Sequence, residues 1–329
     1  MSLEQINHAP KVAKYLADHN TLGDQPFVLL DIGAREGCER QWQAFGNQIF
    51  KVGVEPDAVE CQRLNARNAP NEKFLPVALW SSDTEVPFYI AATAPSCSMY
   101  PANEPLLGRF LDLENVRTVR TTTLKTTTVD GLTLPVDFFK MDAEGAELEI
   151  LKGAEGTLQG SALGLCLEVM FQSWRQGAPT FDQVHAFCTS RGFRLYDLAS
   201  YRHVRKNYNL KTYQNYSSGF SPLGQMIWGE ALYLRDAVEE ITSGSRPGWW
   251  TPHRIYKMVA LYEMHYLHDC AFELLEICAQ RGLLPLPVAQ ELARLLEIKR
   301  EELACFVALN QAAQRKRFGS VLTVLDQAV

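Results

Sequence analysis

Between about residue 26 and residue 236, short apolar segments alternate with stretches of helical periodicity. The alternation restricts the chain to an α/β fold, a mostly parallel sheet with helices on both faces. Continuous apolar runs suit strands buried on two sides, which predicts strands at 27–31 (FVLLD), 51–55 (KVGVE), 73–78 (KFLPVA), 136–142 (VDFFKMD), 163–168 (LGLCLE), 193–197 and 231–235. Between the third and fourth of these, residues 86–91 and the threonine-rich 119–129 carry β-branched side chains, which predicts a β insertion. From residue 243 the stretch SGSRPGWWTP interrupts the pattern, and residues 255–280 and 288–316 return to helical spacing around Gly282, Pro285 and Pro287. The expected organisation is a first domain over 1–243, an N-terminal helix included, and an α-helical C-terminal extension over 244–329. That extension reads as a cap on the main domain, or as a surface for a homodimer or a partner protein.

The 329 residues carry a net charge of −6, which argues against a chain-wide grip on nucleic acid or anionic lipid; no nucleic-acid partner is expected. The eight cysteines are scattered without a C-x-x-C pair, which favours a reducing compartment. Residues 1–20 lack a basic region followed by an apolar one, and no apolar run approaches the roughly 18 residues of a membrane span. These features predict a soluble cytoplasmic protein.

The segment 27–37 (FVLLDIGAREG) runs a buried strand into a glycine-spaced turn. Gly33 allows a sharp turn that brings backbone N–H groups close to a ligand, and Asp31 offers an acceptor at the strand end. The spacing Gly33-x-x-x-Gly37 is not the G-x-G-x-x-G that seats a pyrophosphate, which demotes a nicotinamide or flavin cofactor. Glu55 closes the next strand 24 residues after Asp31, where a carboxylate takes the two hydroxyls of a ribose. A nucleoside site without a pyrophosphate cradle suits S-adenosylmethionine. An NAD-dependent oxidoreductase, which would use the same Glu55, and a non-catalytic interaction protein on the same sheet are the alternatives.

Three segments stand in the order found in FkbM-type methyltransferases: DIGAREG (31–37), VEPD (54–57) and VDGLTLPVDFFKMDAEGAELEILKGA (129–154). The chain resembles that family over about residues 20–236, with APSCSMY (94–100) similar to its serine-containing stretch and LEV (167–169) similar to its next strand end. Arg35 and Cys38 stand where many members carry other residue types. The resemblance implies a class I, Rossmann-like methyltransferase sheet, S-adenosylmethionine as cofactor, and acceptors that are commonly hydroxyls of sugars, glycans or natural products. The cofactor contacts it implies are Asp31, Gly33, Ala34, Gly37, Glu55, Pro56, Ala78 and Asp142.

Methyl transfer to an alcohol is an in-line displacement in which the acceptor oxygen is held near the methyl carbon and loses its proton. Asp142 or Glu144 is the expected general base, with Lys140 tuning it or orienting the substrate. An Asp N-cap with acidic first-turn residues, complementing the helix dipole, is the purely structural alternative. Ser98, Tyr100, Glu168 and His203 are the expected acceptor contacts, with Ser96 beside them. No metal is assigned, although Asp142, Glu144 and Glu168 offer the hard oxygens that suit magnesium or manganese. Residues 201–220 mix Arg202, Arg205, Lys206 and Lys211 with Tyr201, Tyr208, Tyr213, Tyr216 and Phe220. They read as a substrate lid for a glycan or an anionic small molecule, ahead of a surface loop or a single-strand RNA platform. His265, His268 and Cys270 share a helix face but lack a completing ligand set, so packing is the expected role, as for His185.

Overall fold

The computed structural model describes residues 6–110, 113, 116–206 and 224–298. The strands are β1 (Phe27–Ile32), β2 (Ile49–Val54), β3 (Glu72–Leu75), β4 (Ala78–Leu79), β5 (Glu85–Ala91), β6 (Thr118–Thr127), β7 (Phe138–Met141), β8 (Gly164–Met170), β9 (Phe193–His203) and β10 (Gln225–Arg235). The helices are α1 (Lys11–Asp18), α2 (Ala58–Asn65), α3 (Glu104–Leu107), α4 (Glu147–Lys152), α5 (Glu155–Gly160), α6 (Phe181–Ser190), α7 (Ala237–Ser243), α8 (Pro252–Met264), α9 (His268–Gln280) and α10 (Leu286–Leu296).

Seven strands form one sheet in the order β3-β2-β1-β7-β8-β10-β9. The first five are parallel, and β10 is antiparallel to both β8 and β9. The chain therefore winds outward from β1 to β3, then returns to place β7 on the other side of β1. Such a switch point opens a crevice at the carboxyl ends of the strands. The ends of β1, β2 and β7 converge there, and the sequence put its acidic residues at those ends.

Both faces of the sheet are covered, which is why every residue of β1 is buried. Leu29 and Phe138 face a core shared with α1, α7, α8, α9 and α10, whereas Leu30, Ile32, Phe139 and Met141 face a second core under α4, α5 and α6. The alternation is the period of two expected of a strand. The β insertion is a separate sheet in the order β4-β6-β5.

The segment expected as one strand at 73–78 divides. Pro76 lacks an N–H, so the ladder stops at Leu75; β3 stays in the main sheet and β4 pairs with β6 in the small one. In the other direction, β9 and β10 run well past the expected 193–197 and 231–235. Tyr201, Arg202 and His203 thus belong to a strand hairpin and not to a loop: Tyr201 pairs with Trp228 and His203 with Gln225. Tyr208, Lys211, Tyr213, Tyr216 and Phe220 of the expected lid lie outside the described residues, as do residues 299–316 of the expected last helix.

The helices after residue 252 lock onto the sheet and the N-terminus through buried polar contacts. Glu263 of α8 accepts the amides of Lys11 and Val12, both at 2.7 Å, and so caps the helix that Pro10 opens without a side-chain cap. Lys257 Nζ lies 2.8 Å from Asp137 Oδ2 and 2.9 Å from the Pro26 carbonyl, with both side chains buried. His265 stacks on the Phe138 ring with both ring nitrogens covered, and that burial lowers its pKa to about 4, so it packs as a neutral ring. No helix among the described residues is long and apolar enough to cross a membrane.

Lys257→Met should cost about 3–5 kcal/mol, because it leaves the Asp137 carboxylate buried and unpaired. Burial already pushes Asp137 up and Lys257 opposes that push. Without the lysine the folded state takes up a proton more readily, so the loss should shrink as pH falls below the carboxylate range. Urea unfolding at acid and neutral pH measures both; an unchanged midpoint would mean that the tail contributes no such anchor.

Candidate active site

The crevice is built around one close approach. Gly33, at φ +80°, follows β1, and a Cβ placed on it would lie 2.0 Å from the Asp142 carbonyl oxygen. Asp142 N–H in turn donates to the Ile32 carbonyl at 3.0 Å, so the ends of β1 and β7 are stitched together where only glycine fits. The amides of Gly33 and Ala34 both donate to the Val54 carbonyl, that of Glu36 to the Glu60 carboxylate, and that of Gly37 to the Ala34 carbonyl. These four amides hold the turn against β2 and α2 and are not turned toward a ligand, which leaves the turn short of the run of free N–H groups that cradles a pyrophosphate.

A cleft of about 640 Å³ opens above this turn. Asp31, Glu36, Glu39, Glu55, Asp142 and Glu144 line it against only Arg35, Arg40 and Lys140, while Val54, Val77, Leu79, Phe88, Met99 and Ile150 provide apolar wall. The excess of carboxylates favours a cationic ligand, and the apolar wall suits a flat ring system.

Asp31, Gly33, Gly37, Glu55, Pro56 and Asp142, six of the residues expected at the cofactor, line this cleft. Ala34 and Ala78 do not line it. Ala34 packs with Cys61, Leu64 and Phe74 beneath the turn, and Ala78 is buried between Val77 and Leu79, which face the cleft in its place. Glu55 accepts the Asp57 amide on Oε1 at 2.9 Å, with Arg35 3.9 Å away. Burial pushes its carboxyl up, opposed by that hydrogen bond and by Arg35. Lys140 sits on the floor, 3.3 Å from Asp31 and 4.0 Å from Asp142. Burial works against its charge, yet Asp31 and Asp142 hold the ammonium protonated, so Lys140 is a fixed cation and not a base.

At the mouth of β7 and β8, one carboxylate oxygen each from Asp142, Glu144 and Glu168 lies within 4.8 Å of the others. Glu144 adopts φ +53°, a left-handed conformation costly for a residue with a Cβ. Two contacts hold it there. Ser98 Oγ donates to its carbonyl at 2.7 Å, and the fully buried Arg175 lies 2.8 Å from its Oε2 while also reaching the Ser96 carbonyl. Burial raises Glu144 to about 7 against the pull of Arg175, and raises Glu168 well above the carboxylate range with Asp142 and Glu144 adding to the push. Glu147 Oε1 accepts the Ala143 amide at 2.8 Å, which gives it the capping part in this turn.

Ser98 borders the cleft, but its hydroxyl hydrogen is spent on Glu144, so it shapes the loop instead of presenting a free donor. Tyr100 falls outside the lining and packs on Trp80 at 5.8 Å. His203 lies outside the cleft lining: it is buried in β9, packs edge-on against Phe110 and accepts the Trp228 indole on Nε2 at 3.3 Å. Glu168 lies at the acidic cluster and not in the cleft lining. Sequence reasoning missed Arg175. It comes from an irregular segment, 31 residues beyond its partner, with no periodicity to mark it.

The family described as Methyltransferase FkbM domain matches residues 31–195. No curated protein matches the chain. Among solved structures the chain is similar to the methyltransferase FkbM from Methylobacillus flagellatus, with 13% identity and a TM-score of 0.36 over 64% of this chain and 43% of that one. It thus spans less than half the length of that protein. It is similar also to precorrin-6y C5,15-methyltransferase from Geobacter metallireducens, with 11% identity and a TM-score of 0.32 over 71% of this chain and 93% of that one. A third is magnesium protoporphyrin IX methyltransferase from Synechocystis with bound S-adenosylmethionine, at 10% identity and a TM-score of 0.31 over 71% and 86%.

Proposed function

The chain belongs to the FkbM methyltransferase family, and from that premise we propose that it methylates a hydroxyl oxygen of a sugar, glycan or natural product. Its cofactor is S-adenosylmethionine, which when bound supplies an electrophilic methyl on a sulfonium centre. The cleft suits that group: its carboxylates outnumber its cations, and the amides of Gly33, Ala34, Glu36 and Gly37 are spent inside the protein, which disfavours a dinucleotide. Glu55 is the residue for the ribose hydroxyls, the Gly33 turn for close approach of the ligand to the backbone, and Val54, Val77 and Leu79 for the adenine face.

The single observation that carries an oxygen acceptor is the carboxylate cluster at the edge of this cleft. An alcohol is a weak nucleophile until its proton is drawn off, and Asp142 and Glu144 are the two members of that cluster that border the cleft and can take it. In the proposed step the acceptor oxygen forms the new C–O bond as the S–C bond breaks. Its proton passes to Asp142 or Glu144, and S-adenosylhomocysteine is left. Lys140, held by Asp31, offsets negative charge on Asp142 and does not itself exchange the proton. Arg175 and Ser98 are positioning residues: they fix Glu144 in its left-handed conformation facing the cleft.

Incubation with methyl-labelled S-adenosylmethionine and a panel of glycans, glycopeptides and hydroxylated metabolites tests this reading. Label is expected on an oxygen of at least one hydroxylated acceptor. Label found only on nitrogen or carbon acceptors would overturn the oxygen assignment and leave the methyltransferase standing.

A further inference from the structure

The acidic cluster brings together more carboxyl groups than its neighbours pair. Asp142, Glu144 and Glu168 converge within 4.8 Å, and two cations stand beside them. Lys140 lies closer to Asp31 than to Asp142, and Arg175 pairs with one oxygen of Glu144. Glu168 adds an independent observation: it is 5% exposed, and its Oε2 has no hydrogen-bond partner. A buried carboxylate oxygen aimed into a cluster of like groups is costly unless something else satisfies it.

We infer that Asp142, Glu144 and Glu168 bind one divalent cation of the magnesium or manganese type at the carboxyl ends of β7 and β8. Three hard oxygen donors from one side leave further positions of an octahedral ion open, as needed for water or an acceptor hydroxyl. Around such an ion neighbouring oxygens lie about 3 Å apart, so the three carboxylates close in modestly on binding. The donors come from two adjacent strand ends, and Arg175 and Ser98 already hold the middle one. The role in turnover rests on the hydroxyl-methylating reading. An acceptor hydroxyl on the ion is acidified, and its proton leaves to a carboxylate oxygen that the ion does not occupy.

Titration of the full chain with Mn²⁺, followed by loss of the free-ion electron paramagnetic resonance signal, tests the site without relying on activity. One tight Mn²⁺ per chain is expected, with affinity weakened at least about tenfold by Glu168→Gln and by Asp142→Asn, while both variants keep the cooperative thermal melt of the parent protein and Glu168→Gln, outside the cleft lining, also keeps S-adenosylmethionine affinity. Glu230→Gln alters the carboxylate paired with Glu168 across the β8–β10 ladder but outside the cluster, and it should leave Mn²⁺ affinity unchanged. Absence of binding at millimolar Mn²⁺, or binding indifferent to both cluster variants, would overturn the site. Methyl transfer that continues at full rate after exhaustive chelation would overturn its catalytic use and leave the oxygen reading intact. Mn²⁺ binding lost in the variants, together with failure of every hydroxyl acceptor, would uphold the site and sink that reading.

Discussion

Asp142→Asn is expected to lower kcat by about 10²–10⁴-fold while leaving S-adenosylmethionine affinity within about threefold. The substitution keeps the side-chain volume and leaves untouched the backbone contacts that matter locally, the hydrogen bond its N–H donates to the Ile32 carbonyl and the packing of its own carbonyl against Gly33. It removes a carboxylate that borders the cleft next to Lys140. Whether that carboxylate takes a proton or holds a cation, the loss falls on the acceptor oxygen and not on the cofactor. Glu144→Gln should cost a comparable share of turnover but also about 3–5 kcal/mol of stability, because Arg175 is then left buried without a counter-charge. The contrast separates a residue that acts on the acceptor from one that also supports the fold. The double variant should lose little more than either single one, since groups acting on one proton are not additive. Near-normal kcat in Asp142→Asn would remove Asp142 from the reaction.

The parts of this site that were legible in the sequence are those fixed by strand ends. A parallel strand buried on both faces leaves a continuous apolar run whose end marks where a ligand can approach; Asp31, Glu55 and Asp142 stand at such ends and line the cleft, while the family resemblance added weight to Asp142 and Glu168. Residues whose role depends on where a side chain turns were harder to place. Ser98 was found as a hydroxyl near the site, but the sequence does not say that its hydrogen points at the Glu144 carbonyl. Tyr201 and His203 look like loop residues by composition, and they are strand residues because the β9–β10 hairpin pairs them with Trp228 and Gln225. Arg175 carries no local signal at all. Its value comes from tertiary closure that sets a guanidinium against Glu144 with no exposed surface, and a lone arginine near a glycine cannot announce that. The break at Pro76 was legible in chemistry, since a missing N–H ends a ladder, but it was absorbed into an apolar run long enough to pass for one strand.

Gly33→Ala should be the most damaging single methyl group that can be added near the cleft. Its Cβ would lie 2.0 Å from the Asp142 carbonyl oxygen, well inside contact distance, and the φ of +80° strains any residue that carries a Cβ. The left-handed backbone alone costs about 1–3 kcal/mol, and overpacking a tight contact adds a similar amount. The neighbouring atom is backbone, so no rotamer change relieves the overlap; β1 and β7 must separate at the point where Asp142 N–H meets the Ile32 carbonyl. That separation moves the turn that borders the cofactor and the carboxylate that serves the acceptor together. Displacement of reacting groups by about 1 Å costs about 10²-fold in rate, so both S-adenosylmethionine affinity and kcat should fall, in contrast to the kcat-only loss of Asp142→Asn. Gly160→Ala is the matched control: its Cβ would meet nothing within 4 Å, and stability and binding should stay unchanged. Calorimetric titration of S-adenosylmethionine with thermal melts of both variants decides the matter, and a Gly33→Ala protein that binds the cofactor normally would show that the β1–β7 junction does not set the cleft.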